Sequence, residues 1–308
     1  MALTLLEAAK LESGNAIRSA IIEMYAGSSD ILANLPFENI TGNSISYNQE
    51  ASLPGVGFRG VNEAYTASTG VLNPLTERLV IAGGDLDVDK FIVDTQGEAQ
   101  RTVHEEMKVR ALGLAWTRKF IKGDTTTDVR EFDGLQTRVT GNQVISAGST
   151  ANGAALSLAK LDEAIDQTFQ PSALIMSRAM ARKFSAATRA TGVSGYITWD
   201  RNELGRRVMA YNDLPIWTVD LDNEENPILP FTEAASSGTS TATSIYIVSL
   251  GPMGLTGIQN GMVDVRDLGE LESQPAFRTR VEWYNGLAIY HGRAVTRLQH
   301  IGDLAIVA

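Results

Sequence analysis

The chain contains no cysteine. Disulfides, thiolate-held metals and cysteine nucleophiles are thereby excluded, and the absence suits assembly in a reducing cytoplasm. Only three histidines occur, His104, His291 and His300. His104-Glu105-Glu106-Met107-Lys108 carries lysine where a zinc-hydrolase helix needs its second histidine, so that ligand set is missing. There is no GxSxG elbow and no GxxxxGK phosphate loop, which removes two common catalytic scaffolds. No spacing singles out a pair of carboxylates for acid–base work. No apolar run approaches the roughly 20 residues of a membrane-crossing helix, and the N-terminus lacks the basic start and long apolar stretch of a secretion signal. Positive charge is scarce too: 26 Lys and Arg stand against 36 Asp and Glu, a net charge of -10. That balance argues against a strongly basic face that wraps nucleic acid. It fits solubility.

What is present is enough for a large core. The chain has 308 residues, 44% hydrophobic and 20% charged, in the range of one large or two ordinary domains. Residues 3–26 read as helix broken at Ser13-Gly14-Asn15, with Leu5, Leu6, Ala9, Ile17, Ile21 and Met24 at helical spacing. Thr4 followed by Glu7 resembles a capping box. This segment fits a helix packed on its own domain and equally an arm docked on a neighbour.

Residues 37–95 alternate short β-type runs (SISYNQ, VGFRGVNEAYT, ERLVIAGGDLDVDKFIV) with turn signals at Leu53-Pro54-Gly55 and Asn73-Pro74. Asp85, Asp87 and Asp89 recur at period two, which predicts a strand with one wet, acidic face. Few core-sized side chains lie mid-segment, so a long hairpin that finds its packing partner elsewhere is expected. Residues 97–122 are the clearest helix, about 35–40 Å long at 1.5 Å per residue. Val103, Met107, Ala111, Leu114 and Ile121 form one stripe; Leu112, Trp116 and Phe120 form a second. Glu105 and Glu106 lie early, and Arg118, Lys119 and Lys122 late, as the helix dipole prefers; Gly123-Asp124 ends it. VISAGSTANGAALS reads as a boundary loop. A helix over 157–169, a strand at Ala173–Met176, a helix over 177–190 and the loop TGVSGY follow. Next come a helix near 202–210, a strand Pro215–Asp220, a flexible connection FTEAASSGTSTATS and a strand SIYIVSLG. The closing stretch FRTRVEWYNGLAIYHGRAVTRLQHI predicts two strands joined around Tyr284–Leu287.

Two motifs invite a sharper reading. Gly55, Gly57 and Gly60 match the GxGxxG spacing of a nucleotide-binding enzyme. That fingerprint needs a buried strand before it and a helix directly after it, and neither flank fits; a bent loop is the expectation. The aspartates at 85, 87 and 89 suggest a calcium loop, but Lys90 and Gln96 stand where an EF-hand needs Gly and Glu. Trp116, Trp199, Trp217 and Trp283 lie in apolar patterned elements and are expected in cores. No metal, cofactor or catalytic residue is expected.

The order of these elements resembles the major capsid fold of tailed bacteriophages, shared with encapsulins and the floor of herpesvirus shells. The likeness is carried by SISYNQEASLPGVGFRGVNEAYTASTG…ERLVIAGGDLDVDKFIV and by TRVEWYNGLAIYHGRAVTRL. The resemblance implies an α+β fold with an N-terminal arm (1–36), an extended β-hairpin loop with its base strands (37–95) and a peripheral domain with a spine helix (96–149). An axial domain (150–265) and C-terminal strands returning through both domains (266–308) complete it. It implies self-assembly into hexamers and pentamers of an icosahedral head in the host cytoplasm, around double-stranded DNA held non-specifically. Its implied partners are a portal and scaffolding and cement or decoration proteins, with no membrane. Some relatives carry a cleaved scaffold-like region before the arm, and this chain is expected to lack it. Others weld subunits through a loop lysine; residues 11–89 contain no lysine, so no weld is expected. Arg59, Glu63, Glu77 and Arg78 are the candidate inter-subunit contacts. An encapsulin-type compartment is the alternative within the fold.

Overall fold

The computed structural model describes residues 3–4, 29–189, 197–201, 207–236 and 238–307. In chain order the elements begin β1 (Leu3–Thr4), α1 (Asp30–Asn34), β2 (Pro36–Asn39), β3 (Ser44–Ser52), β4 (Val71–Arg78), β5 (Val80–Asp89), α2 (Lys90–Gln96) and α3 (Glu98–Lys122). They continue with α4 (Leu135–Arg138), β6 (Val144–Ser146), α5 (Leu158–Gln167), β7 (Ala173–Ser177), α6 (Arg178–Ala187), β8 (Ile197–Arg201), β9 (Arg207–Tyr211) and β10 (Leu214–Val219). They end with β11 (Glu233–Ala234), β12 (Ser240–Val248), β13 (Leu255–Gln259), β14 (Asp264–Glu270), β15 (Ala276–Ile289) and β16 (Val295–Gly302).

Among the described residues the strands form two mixed sheets and one detached ribbon. The first sheet runs β1-β2-β13-β15-β14, with β5 along the other side of β15. The second runs β6-β16-β12-β7-β10-β9-β8, with β11 on β12. Its centre is apolar on both faces: every residue of β7 is buried, as is β12 from Ala242 to Val248. A strand covered on both sides loses the period-two alternation of a half-exposed one. One face packs on α5 and α6 through Leu161, Ile165, Met180 and Phe184. The other shares a core with α3 and the first sheet.

An aromatic cluster joins α3 to the first sheet. Trp116 stacks on Phe120 at 5.3 Å and lies 5.9 Å from Trp283, which contacts Phe37 at 5.1 Å. The indole N–H of Trp116 donates to Asn285 Oδ1 at 3.0 Å and that of Trp283 to Gln259 Oε1 at 3.1 Å. Every polar atom introduced by the two indoles is thus matched, as burial demands. Gly257 lies under the Phe37 ring, where a β-carbon would overlap it. Gly123 caps the end of α3, and a β-carbon there would overlap the Phe132 carbonyl.

Several expectations are corrected. Leu3 and Thr4 are a short strand on β2, not helix; the rest of the predicted helix to 26 lies outside the described residues. The strand through Val93 stops at Asp89, whose side chain accepts from Phe91 N at 2.8 Å and caps α2. The helix near 202–210 is strand over Arg207–Tyr211, turned back through Asn212 and Asp213, both at positive φ; residues 202–206 and the loop 191–196 lie outside the described residues. The boundary loop contains β6, and the polar connection contains β11 and the start of β12. The closing strands do not meet at Tyr284–Leu287, which is the middle of β15. They separate at 290–294, and β15 and β16 belong to different sheets. Local periodicity carries no record of which sheet a strand joins. Trp199 is half-exposed on β8, whereas the other three tryptophans are buried.

The acidic face of β5 is not simply solvated. Asp85 accepts two bonds from Arg280 at 2.6 and 2.8 Å, and Asp87 two from Arg278 at 2.6 Å each. These bidentate pairs lie across the β5–β15 register. The Arg280 bonds hold the Asp85 carboxyl below its usual range, and the Arg278 bonds do the same for Asp87. A carboxylate whose pKa is lower folded than unfolded contributes stability above its unfolded pKa, and loses it as pH falls through the folded one. Thermal midpoints measured from pH 5 down to 3 are therefore expected to fall more steeply for the unmodified chain than for Asp85→Asn/Asp87→Asn. Parallel curves would remove the ladder from the acid response.

Candidate assembly interface

Among the described residues β3 and β4 pair only with each other, from Ser44 opposite Arg78 to Ser52 opposite Val71. The ribbon leaves the body and ends in a tip, 53–70, that holds one turn at Val61-Asn62 and no strand. A two-stranded ribbon has no core of its own, and such ribbons are marginal in water. Its apolar side chains face solvent: Val56 is 89%, Phe58 105% and Val61 93% exposed, and Leu53, Tyr65, Val71 and Leu72 are exposed as well. Contiguous exposed apolar side chains on one element mark an interaction surface.

The base of the ribbon is held by polar contacts. Tyr47 donates its hydroxyl to Ile289 O at 3.1 Å and accepts from Ile289 N at 3.2 Å. Gln49 Nε2 donates to Ile289 O at 3.3 Å. Burial raises the Tyr47 hydroxyl pKa, so the group stays protonated. The Tyr47 ring meets Tyr290 edge-on at 4.7 Å, and Tyr290 donates to Glu38 at 2.9 Å. On the β4 side, Glu77 forms a fork with Arg138 of α4, one arm at 2.7 Å, and Arg78 donates to Val129 O.

The four residues singled out from sequence therefore divide. Arg59 and Glu63 sit together in the tip: Arg59 donates to Glu63 O at 3.1 Å and lies 5.0 Å from the Tyr65 ring, while Glu63 accepts from Gly60 N at 2.8 Å. Glu77 and Arg78 lie at the base and take partners within the subunit. Tyr47 and Arg138 were missed. Arg138 sits on a four-residue helix, too short to show a period, and nothing local marks Tyr47 as facing Ile289. Gly55, Gly57 and Gly60 all lie in the exposed tip with no helix after them, so the nucleotide fingerprint lacks its context. Asp85, Asp87 and Asp89 are taken by arginines and by the cap. Among the described residues no cluster of three His, Cys, Asp or Glu side chains could hold a metal, and no helix is long and apolar enough to cross a membrane.

A second uncovered strip lies on α3. The first of the two stripes splits: Ile121 is buried, Ala111 and Leu114 are partly buried, and Val103 and Met107 are exposed, whereas Trp116 and Phe120 of the second are buried. Phe91, in the first turn of α2, is exposed as well, and Gly97, at positive φ, is where α2 passes into α3.

A family model described as Major capsid protein GP7 matches residues 12–173. No curated protein matches. Among solved structures, the chain is similar to the holo-SrpI encapsulin complex from Synechococcus elongatus, with 16% identity, TM-score 0.65, 90% of this chain covered and 89% of that one. It is similar to the capsid of the empty GTA particle, with 14% identity, TM-score 0.62 and coverage of 89% and 90%. A structure from Mycobacterium phage Bobi matches with 14% identity, TM-score 0.61 and coverage of 88% and 89%. At such identities these are likenesses of fold.

Proposed function

This chain belongs to the major capsid protein GP7 family, and from that premise we propose that its work is mechanical, done by surfaces that bury one another between copies. It is a shell subunit that self-assembles. In our finer reading the copies form hexamers and pentamers that close into an icosahedral phage head around double-stranded DNA, and they catalyse nothing. The first sheet with α3 is the peripheral domain and its spine, the second sheet the axial domain, and the β3–β4 ribbon the extended loop. The observation that carries this reading is a ribbon whose apolar tip stays exposed, with no packing partner among the described residues of its own subunit. Repetition multiplies individually modest contacts of this kind. DNA, with a chain of net charge -10, is retained without base-specific contacts. A portal closes one vertex, and scaffolding and cement proteins are the other partners.

The encapsulin likeness supports a second reading, a compartment loaded with protein. Electron microscopy of the expressed, purified protein tests both. Closed shells are expected, and shells from infected or induced cells should contain DNA. Protein cargo without DNA would favour the compartment; monomers alone under assembly conditions would overturn both.

The shell is expected to be held without covalent welds through the ribbon. The tip offers Arg59 but no lysine, and a guanidinium is a poor nucleophile. Lys90, at the ribbon's base, is engaged with Glu270 at 2.9 Å. Particles boiled in denaturing detergent should give one band near 33.2 kDa. A ladder surviving reductant would show a weld, with Lys90 the first residue to replace.

A further inference from the structure

The end of the long helix meets the second sheet at a small polar centre, separate from the ribbon and its base. Arg297 of β16 donates from Nη2 to Glu233 Oε2 at 2.9 Å and from Nε to Ser244 Oγ at 3.0 Å. The Ser244 hydroxyl donates to the same Glu233 oxygen. Ser244 falls where the β12–β16 register shifts, between Thr243 and Ile245; an irregularity of this kind re-aims a side chain. Glu233 Oε2 is therefore well supplied with donors. Glu233 Oε1 and the Tyr246 hydroxyl, by contrast, have no hydrogen-bond partner among the described residues. Both are deeply buried: Tyr246 is 0% exposed and the Glu233 side chain 8%. Lys122, in the last turn of α3, lies within the field of Glu233, and its own burial lowers its pKa.

Buried hydroxyls and carboxylate oxygens without partners carry a free-energy cost, and native interiors match nearly all of them. We propose that this centre binds one water molecule, which accepts from the Tyr246 hydroxyl and donates to Glu233 Oε1. The charges select the ligand. Arg297 and Lys122 repel a cation, and Glu233 repels an anion. What remains is a small neutral molecule that both donates and accepts. Internal water in polar cavities makes about 2–4 such bonds and is costly to remove. The bound water ties β11 to β12 through their side chains, in addition to their strand pairing, beside the end of the long helix.

The test uses the full-length chain and has two readouts. In the unmodified protein, an experimental map that shows ordered water should hold a peak within hydrogen-bond distance of both Tyr246 Oη and Glu233 Oε1. Tyr246→Phe, which keeps the ring, should erase the peak and lower the thermal midpoint by about 2 °C or more. If the hydroxyl has no partner, its removal instead relieves a cost, and the midpoint rises or stays the same. That result, or an unmodified map without the peak, overturns the proposal.

Discussion

Phe58→Ser combined with Val61→Ser is expected to abolish shell formation while leaving the thermal midpoint of the subunit within about 2 °C of the unmodified value. Both side chains are exposed in the subunit, so their loss removes no packing from the fold. In the shell reading they are buried on a neighbour. An apolar side chain of this size moving from water into contact is worth about one to two tenfold steps in association constant. Two per copy, repeated around a closed shell, shift the concentration needed for assembly by on the order of a hundredfold or more. Sedimentation and electron microscopy at matched protein concentration would read the loss. Hydrogen exchange offers a check that needs no mutation: residues 45–80 should be protected in particles and not in free subunits. Shells of the double variant at unmodified yield, or equal protection in both forms, would remove the tip from the interface.

Asp222→Ala should destabilise the subunit by about 3 kcal/mol, read as a thermal midpoint lower by about 5 °C or more. The Asp222 carboxylate is buried. One oxygen accepts from the main-chain N–H groups of Glu224 and Asn226, each at 2.8 Å, and the other from Arg118 of the long helix. Burial alone would raise its pKa, but the two main-chain donors and Arg118 outweigh it and hold the group below its usual range. Alanine leaves both N–H groups unmatched and frees Arg118, which is partly exposed and recovers some hydration. Asp222→Asn keeps an acceptor for the turn and should lose markedly less. Equal losses for the two variants would mean that the Arg118 charge, and not the turn, is what Asp222 serves.

The long helix was legible because its evidence is local. Twenty-five residues with an apolar period, a glycine on each side and basic residues in the last turn admit one reading. The ribbon was legible for the opposite reason: a stretch with β-type residues and few core-sized side chains cannot pack on itself. The same logic failed for β9, where five residues of strand follow 202–206 and nothing local separates strand from helix. It failed for the acidic run 85–89, because whether a carboxylate faces water or an arginine depends on Arg278 and Arg280, far along the chain on β15.

The sequence by itself determined the absence of thiol chemistry, the long helix, the outlying ribbon and the resemblance to a shell protein. Each depends on residue types or on spacings shorter than a few turns of chain. Only the tertiary structure decided that β15 and β16 part into separate sheets, and that Glu77 and Arg78 hold the ribbon's base while Arg59 and Glu63 remain in its tip. It alone brought Glu233, Ser244, Tyr246, Arg297 and Lys122 to one buried centre. Those outcomes depend on pairing between strands distant in sequence, and a side chain's partner there is set by register, which local periodicity does not encode.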